Sequence, residues 1–193
     1  QIQIASSEGL GEIVFSFALT DIAEIEVPGE AYKSLAIEWL EQGKDESALQ
    51  LMGRLYRQRR PVLPLLPAAD AHFFFFYVDL VLRSPKPARA IAIVETLEPH
   101  VEGSKAEQAF EEITLKSYHA LGLNEAAATR AEAWVANRKP YGASALGYYV
   151  LGLARLEAGA FEEAIDLALR PIVFDSPLKT DYLGECYAVA TAA

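Results

Sequence analysis

A mostly α-helical chain, a stack of about four helix pairs behind a short β segment, is what the 193-residue sequence predicts. Three observations lead there. A string of glycine, turn and alanine recurs along the chain; apolar stripes at helical spacing flank its copies; and only residues 1–28 alternate with a period of two.

The recurring string reads Gly43-Lys44-Asp45-Glu46-Ser47-Ala48, Gly122-Leu123-Asn124-Glu125-Ala126-Ala127 and Gly159-Ala160-Phe161-Glu162-Glu163-Ala164. A fourth copy, Pro85 to Ala90, has proline in place of the glycine. The alanines at 48, 90, 127 and 164 are spaced by 42, 37 and 37 residues. Tyr32, Leu35, Ala36, Trp39 and Leu40 form an apolar stripe before the first string, and Ala48, Leu51, Met52, Leu55 and Tyr56 form another after it. Each unit is therefore helix, tight turn, helix. Gly43, Gly122 and Gly159 suit a left-handed cap on the first helix, and Asp45 and Asn124 suit the N-cap of the second. The repeated alanine belongs where the two helices cross, because a small side chain lets their backbones approach.

Taken in order, Ile2 and Ile4, then Ile13, Phe15 and Phe17, then Ala23, Ile25 and Val27 alternate as strands do, and Pro28-Gly29 closes the segment. Residues 1–28 are thus read as a short β segment, which is expected to pack on the helices, to pair with another chain, or to complete a small β module begun before Gln1. Residues 29–193 form the helical domain, with units at about 29–60, 69–100, 104–139 and 143–176 and a final helix at 179–193. Arg59 to Ala69, with Pro61, Pro64 and Pro67, is expected to be a connection between the first two units, since proline does not continue a helix. The final helix ends in Tyr-Ala-Val-Ala-Thr-Ala-Ala, unlike the polar cap that usually finishes a repeat array. The expectation is a fragment of a longer chain, or a helix covered by self-association.

The unit Tyr148-Tyr149-Val150-Leu151-Gly152, followed by Gly159, Phe161, Ala164, Ile165 and Ala168, resembles the tetratricopeptide repeat (TPR). Tyr148, Leu151, Gly152, Gly159, Phe161 and Ala164 match that family's pattern, while Pro171 stands where a second alanine is usual and is expected to end its helix early. Tyr32, Leu35, Ala36, Gly43 and Ala48 fit in the first unit; Val78 and Leu115 replace the glycine in the second and third. The resemblance implies a divergent right-handed TPR-like superhelix whose first helices line a concave groove. It also implies protein–protein interaction rather than catalysis.

Charge and motif content narrow the function classes. A formal net charge of -10 argues against phosphate-backbone binding, so no nucleic-acid partner is expected. The basic cluster Arg54, Arg57, Arg59 and Arg60 reads as solvated cations at a helix C-terminus. Cys186 is the only cysteine, leaving the compartment open between cytoplasm and periplasm. The most apolar stretch, Val62 to Leu82, contains Pro64, Pro67, Asp70, His72 and Asp79, so no membrane span is expected. Gln1 to Ser7 lacks the basic start and apolar segment of a signal peptide.

His72, His100 and His119 are too far apart for a helical metal pair, and no phosphate loop, dinucleotide fingerprint or nucleophile elbow occurs. Glu111-Glu112 and Glu162-Glu163 are adjacent on helices, so each pair diverges by about 100° onto solvated faces. No enzyme activity, cofactor or metal is expected.

Mapped onto the first helices, the resemblance gives His72, Phe75, Asp79, Glu112, Lys116, His119, Tyr149, Leu153 and Leu156 as groove residues. Phe73 to Phe76 places four aromatics in a row, more than one helix face can bury, so at least one should face the groove, a neighbouring unit or a partner. If Phe75 is that residue, its truncation should leave stability nearly unchanged. The carboxylate-clamp class of TPR sets a lysine and an asparagine one turn apart; here Lys33 is followed by Ile37, so the clamp is broken. The expected partner is a basic or apolar peptide or helix; the alternative is a structural self-assembly module, oligomerising through the N-terminal strands and the C-terminal helix within a larger protein.

Overall fold

The computed structural model describes residues 2–6, 13–17, 29–66, 68–136, 145–174 and 182–193. Strands β1 (Ile2–Ser6) and β2 (Ile13–Phe17) pair antiparallel, with Ile2 opposite Phe17 and Ser6 opposite Ile13. The third alternating run, Ala23 to Val27, lies outside the described residues. All other regular structure among the described residues is helical.

The first pair is α1 (Glu30–Glu41) and α2 (Asp45–Arg59). The second is α3 (Ala68–Phe73) running almost directly into α4 (Phe75–Leu82), followed by α5 (Arg89–Val101). The third is α6 (Glu107–Ala120) with α7 (Asn124–Ala136), and the fourth α8 (Ala145–Glu157) with α9 (Phe161–Val173). Helix α10 (Leu183–Ala192) follows alone. Each second helix lies between its own first helix and the next: α2 packs on α1 and α4, α5 on α4 and α6, α7 on α6 and α8, α9 on α8 and α10. The first helices α4, α6, α8 and α10 also touch in succession.

Three turns share one geometry. Gly43, Gly122 and Gly159 have φ of 71°, 68° and 75°, a left-handed conformation that spares glycine the Cβ clash. Around each, paired backbone bonds close the helix end: Gly43 N–H to Leu40 C=O at 2.9 Å and Lys44 N–H to Trp39 C=O at 2.8 Å in the first pair. The same two bonds recur around Gly122 and around Gly159. Five residues on, Ala48, Ala127 and Ala164 are essentially without exposed surface, as is Ala90 in the second pair. At the fourth crossing a Cβ on Gly152 would sit 3.4 Å from the Ala164 carbonyl oxygen and 3.3 Å from Val189 Cγ1. Small residues are thus what allow α8, α9 and α10 to approach.

Several expectations are corrected. Asp45 is not an N-cap: Lys44 holds that position with no side-chain cap bond, and Asp45 is the first helical residue, where its charge still complements the helix dipole. Pro171 does not end its helix, because α9 continues to Val173 with Pro171 buried inside it. A proline one turn from a helix end removes only one internal hydrogen bond, and burial of its ring offsets part of that loss. The proline-rich connection is itself helical, a 3-10 turn over Arg60–Leu65 that places Leu63 in the core at 1% exposure.

Arg59 departs from the solvated basic cluster. It is 3% exposed, with its guanidinium 4.9 Å from the Phe73 ring centroid and so close to Gly29 that a Cβ there would lie 2.5 Å from Nη2. Arg54, Arg57 and Arg60 are exposed as expected. The four phenylalanines are accommodated by the break at Phe74, which rotates α4 relative to α3. Phe73, Phe74 and Phe75 are buried, Phe74 meeting Tyr56 edge-on at 5.3 Å, and Phe76 is half-buried.

Candidate functional site

The first helices of successive pairs enclose a cavity of about 380 Å³. Its walls include His72, Phe75, Asp79, Glu112 and Lys116, so five of the groove residues read from the sequence come together. Spacing explains the convergence. His72, Phe75 and Asp79 recur at three and four residues along α3 and α4, Glu112 and Lys116 at four along α6. Lys116 reaches across to Asp79 in an ion pair, and Arg83, one turn from Asp79 on α4, binds its other oxygen at 2.5 Å. Two carboxylates and two cations therefore line the cavity in balance, against an apolar wall of Phe75, Phe76, Ile113 and Leu146.

Phe75 lines the cavity with little of its surface. It is only 7% exposed and packs 5.8 Å from the Phe110 ring and 5.0 Å from His72, so it is a core residue showing one edge to the cavity. Phe76 carries the accessible aromatic surface. His119, Tyr149 and Leu153 lie beside the cavity rather than in it: His119 and Leu153 line a narrow neighbouring cleft with Val150 and Ala154. The His119 ring meets Tyr149 edge-on at 5.2 Å, and Tyr149 stacks on Tyr182 at 5.9 Å, which returns the row to the cavity wall. Burial, then the Glu185 and Glu157 carboxylates, holds the Tyr149 phenol above its ordinary pKa. Leu156 is half-buried and packs on the core of α8–α10.

Sequence reading missed Arg83 and Tyr182, and it did not single out Phe76 from the run Phe73 to Phe76, of which it alone is half-buried rather than buried. Arg83 was accessible from its four-residue spacing to Asp79. Tyr182 was not, because its place depends on a left-handed φ of 72° immediately before α10, which no flanking glycine signals.

Glu162 and Glu163 do not part as expected, since both line one depression between α7, α8 and α9, whereas Glu111 and Glu112 diverge, though not onto water alone. Glu111 turns to Arg130 on α7, which also holds Glu98 on α5 at 2.8 Å, while Glu112 faces the cavity. Burial alone would lower the Arg130 pKa; its hydrogen bonds to Glu111 and Glu98 outweigh that and raise it, so the cation is permanent. Arg155 on α8 repeats the device, joining Glu132 on α7 at 2.8 Å and Glu163 on α9 at 3.0 Å. Among the described residues no group of three histidine, cysteine or carboxylate side chains has metal-binding geometry. No described helix is long and apolar enough to cross a membrane.

No protein-family model matches the chain, and no curated protein matches it. Among solved structures, the MamA RS-1 ArsTM double mutant is similar, with a TM-score of 0.57 and 15% identity over 84% of this chain and 90% of that one. MamA contains TPR units, and at this identity the likeness speaks for the helical arrangement alone. The chain thus has a mostly helical fold with a TPR-like arrangement of helix pairs.

Proposed function

We propose that the chain is a non-enzymatic scaffold whose residues 29–193 wind as a right-handed superhelix and hold an extended peptide or helix of a partner protein against the first-helix row. What supports this reading is the cavity shared by α4, α6, α8 and the approach to α10. It offers an apolar wall, Phe76 as an accessible aromatic anchor, and balanced charges, with Lys116 on α6 paired to Asp79 across the helices and Arg83 paired to the same carboxylate one turn along the chain. Asp79, Glu112 and Lys116 are the polar contacts, His72 and Phe75 the near wall, and His119, Tyr149 and Leu153 the continuation of the surface toward α8.

A photo-crosslinking phenylalanine analogue placed at Phe76, in lysate of the source cells, tests the proposal. A discrete crosslinked partner from Phe76, absent when the analogue replaces exposed Glu95 on α5, is expected. Equal labelling from both positions would contradict a groove-directed partner.

Self-assembly is the second reading, supported by the large apolar side chains that the last helices leave exposed: Phe161 and Val173 at the two ends of α9 and Tyr187 on α10, at 51%, 66% and 53%. A species in sedimentation that grows with concentration and returns to monomer in Val173→Glu is its signature. A monomer at every concentration removes it.

A further inference from the structure

A second groove opens along the second helices, away from the first-helix cavity. Its floor is apolar: Val135 at the end of α7, Leu151 on α8, buried at 4% exposure, and Leu167 on α9. Its rim is acidic, formed by Glu132 on α7 and by Glu162, Glu163 and Asp166 on α9. The depression encloses about 490 Å³ and runs from Glu162 to Arg170, two helical turns or about 12 Å.

Charge decides what fits. Two guanidiniums, Arg155 and Arg170, also line the groove, and both already hold rim carboxylates: Arg155 those of Glu132 and Glu163, Arg170 that of Asp166 at 2.6 Å. Four carboxylates against two guanidiniums leave two negative charges in excess. The first-helix cavity, with Asp79 and Glu112 facing Arg83 and Lys116, has no such excess. Like-charge contact would repel an acidic segment, while a wholly polar one would leave Leu151 and its neighbours unused.

We propose that this groove docks a basic amphipathic segment of a partner protein. One or two of its aliphatic side chains would sit on Val135, Leu151 and Leu167, with lysine or arginine on either side facing Glu132, Glu162 and Asp166. Apolar contact sets the seat and the acidic rim sets the sign of the partner. This site is separate from the first-helix cavity, so each can fail without the other.

The test uses a short amphipathic leucine–lysine peptide, its leucine–glutamate counterpart and a lysine-only peptide, followed by fluorescence anisotropy. Saturable one-to-one binding of the leucine–lysine peptide is expected, weakening as salt rises, with the other two much weaker. Glu162→Lys/Asp166→Lys, both exposed and outside the core, should weaken it by about tenfold or more, and Leu167→Ser should weaken it in a variant that circular dichroism shows folded. The control Glu38→Lys/Glu95→Lys, two exposed carboxylates elsewhere, should leave binding unchanged. Absence of saturable binding, equal binding of the lysine-only peptide, or equal loss in the control overturns the proposal. So does a loss produced by Glu112→Lys alone, which would assign the peptide to the first-helix cavity.

Discussion

Arg130 on α7 grips Glu111 on α6 through two parallel hydrogen bonds, Nε to Oε2 at 2.8 Å and Nη2 to Oε1 at 2.7 Å. Both side chains are mostly shielded, at 22% and 18% exposure, and the same guanidinium reaches Glu98 on α5. One side chain therefore joins the second and third pairs. Arg130→Ala should destabilise the fold by about 1–3 kcal/mol, since it leaves Glu111 half-buried without its charged donor. Arg130→Lys should recover only part of that, because an ammonium cannot form the fork. Urea unfolding of the three proteins checks the order.

Phe75→Ala tests the place of the phenylalanine run. Buried beside Phe110 and His72, Phe75 should cost about 3–5 kcal/mol on truncation, and half-buried Phe76 clearly less. Equal and small losses would return Phe75 to the surface.

The helix crossings make a sharper demand. Ala164 is fully buried, with its carbonyl facing the bare face of Gly152, so Ala164→Leu forces α8 and α9 apart and should cost about 1–3 kcal/mol or more. Ala126, exposed two positions after α7 begins, should accept the same substitution with little change. Thermal unfolding of the pair measures the difference.

Burial pushes the Cys186 thiol up to about 12, and the Glu185 carboxylate adds to the shift. At pH 8 the thiol stays protonated, and a disulfide reagent should label the native protein only as fast as it opens, but label it rapidly in urea. The sign for stability follows. The unfolded thiol ionises near its ordinary 9.0 while the folded one holds its proton, so this contribution is present below pH 9 and lost between pH 9 and about 12. Cys186→Ala should lack that part of the alkaline slope.

Legibility in the sequence follows local chemistry. The turns were readable because glycine at 43, 122 and 159 serves a backbone that other residues resist, and the alanines because close crossings tolerate little else. Helical spacing also placed His72, Phe75 and Asp79 on one face and Glu112 with Lys116 on another. What spacing could not supply was the relation between helices. The break at Phe74 that turns Phe75 inward, the burial of Arg59 over Phe73, and the seat of Tyr182 on Tyr149 all arise from tertiary packing. Pro171 misled because a proline near a helix end costs less than one at its centre.

The proposal of a first-helix binding surface is tested most directly by hydrogen–deuterium exchange of the whole chain, free and with the partner captured at Phe76. Binding there predicts slowed exchange in α4 and α6 and at the start of α8, with α5, α7 and α9 little changed. Protection confined to α7 and α9, or absent from α4 and α6, would contradict it.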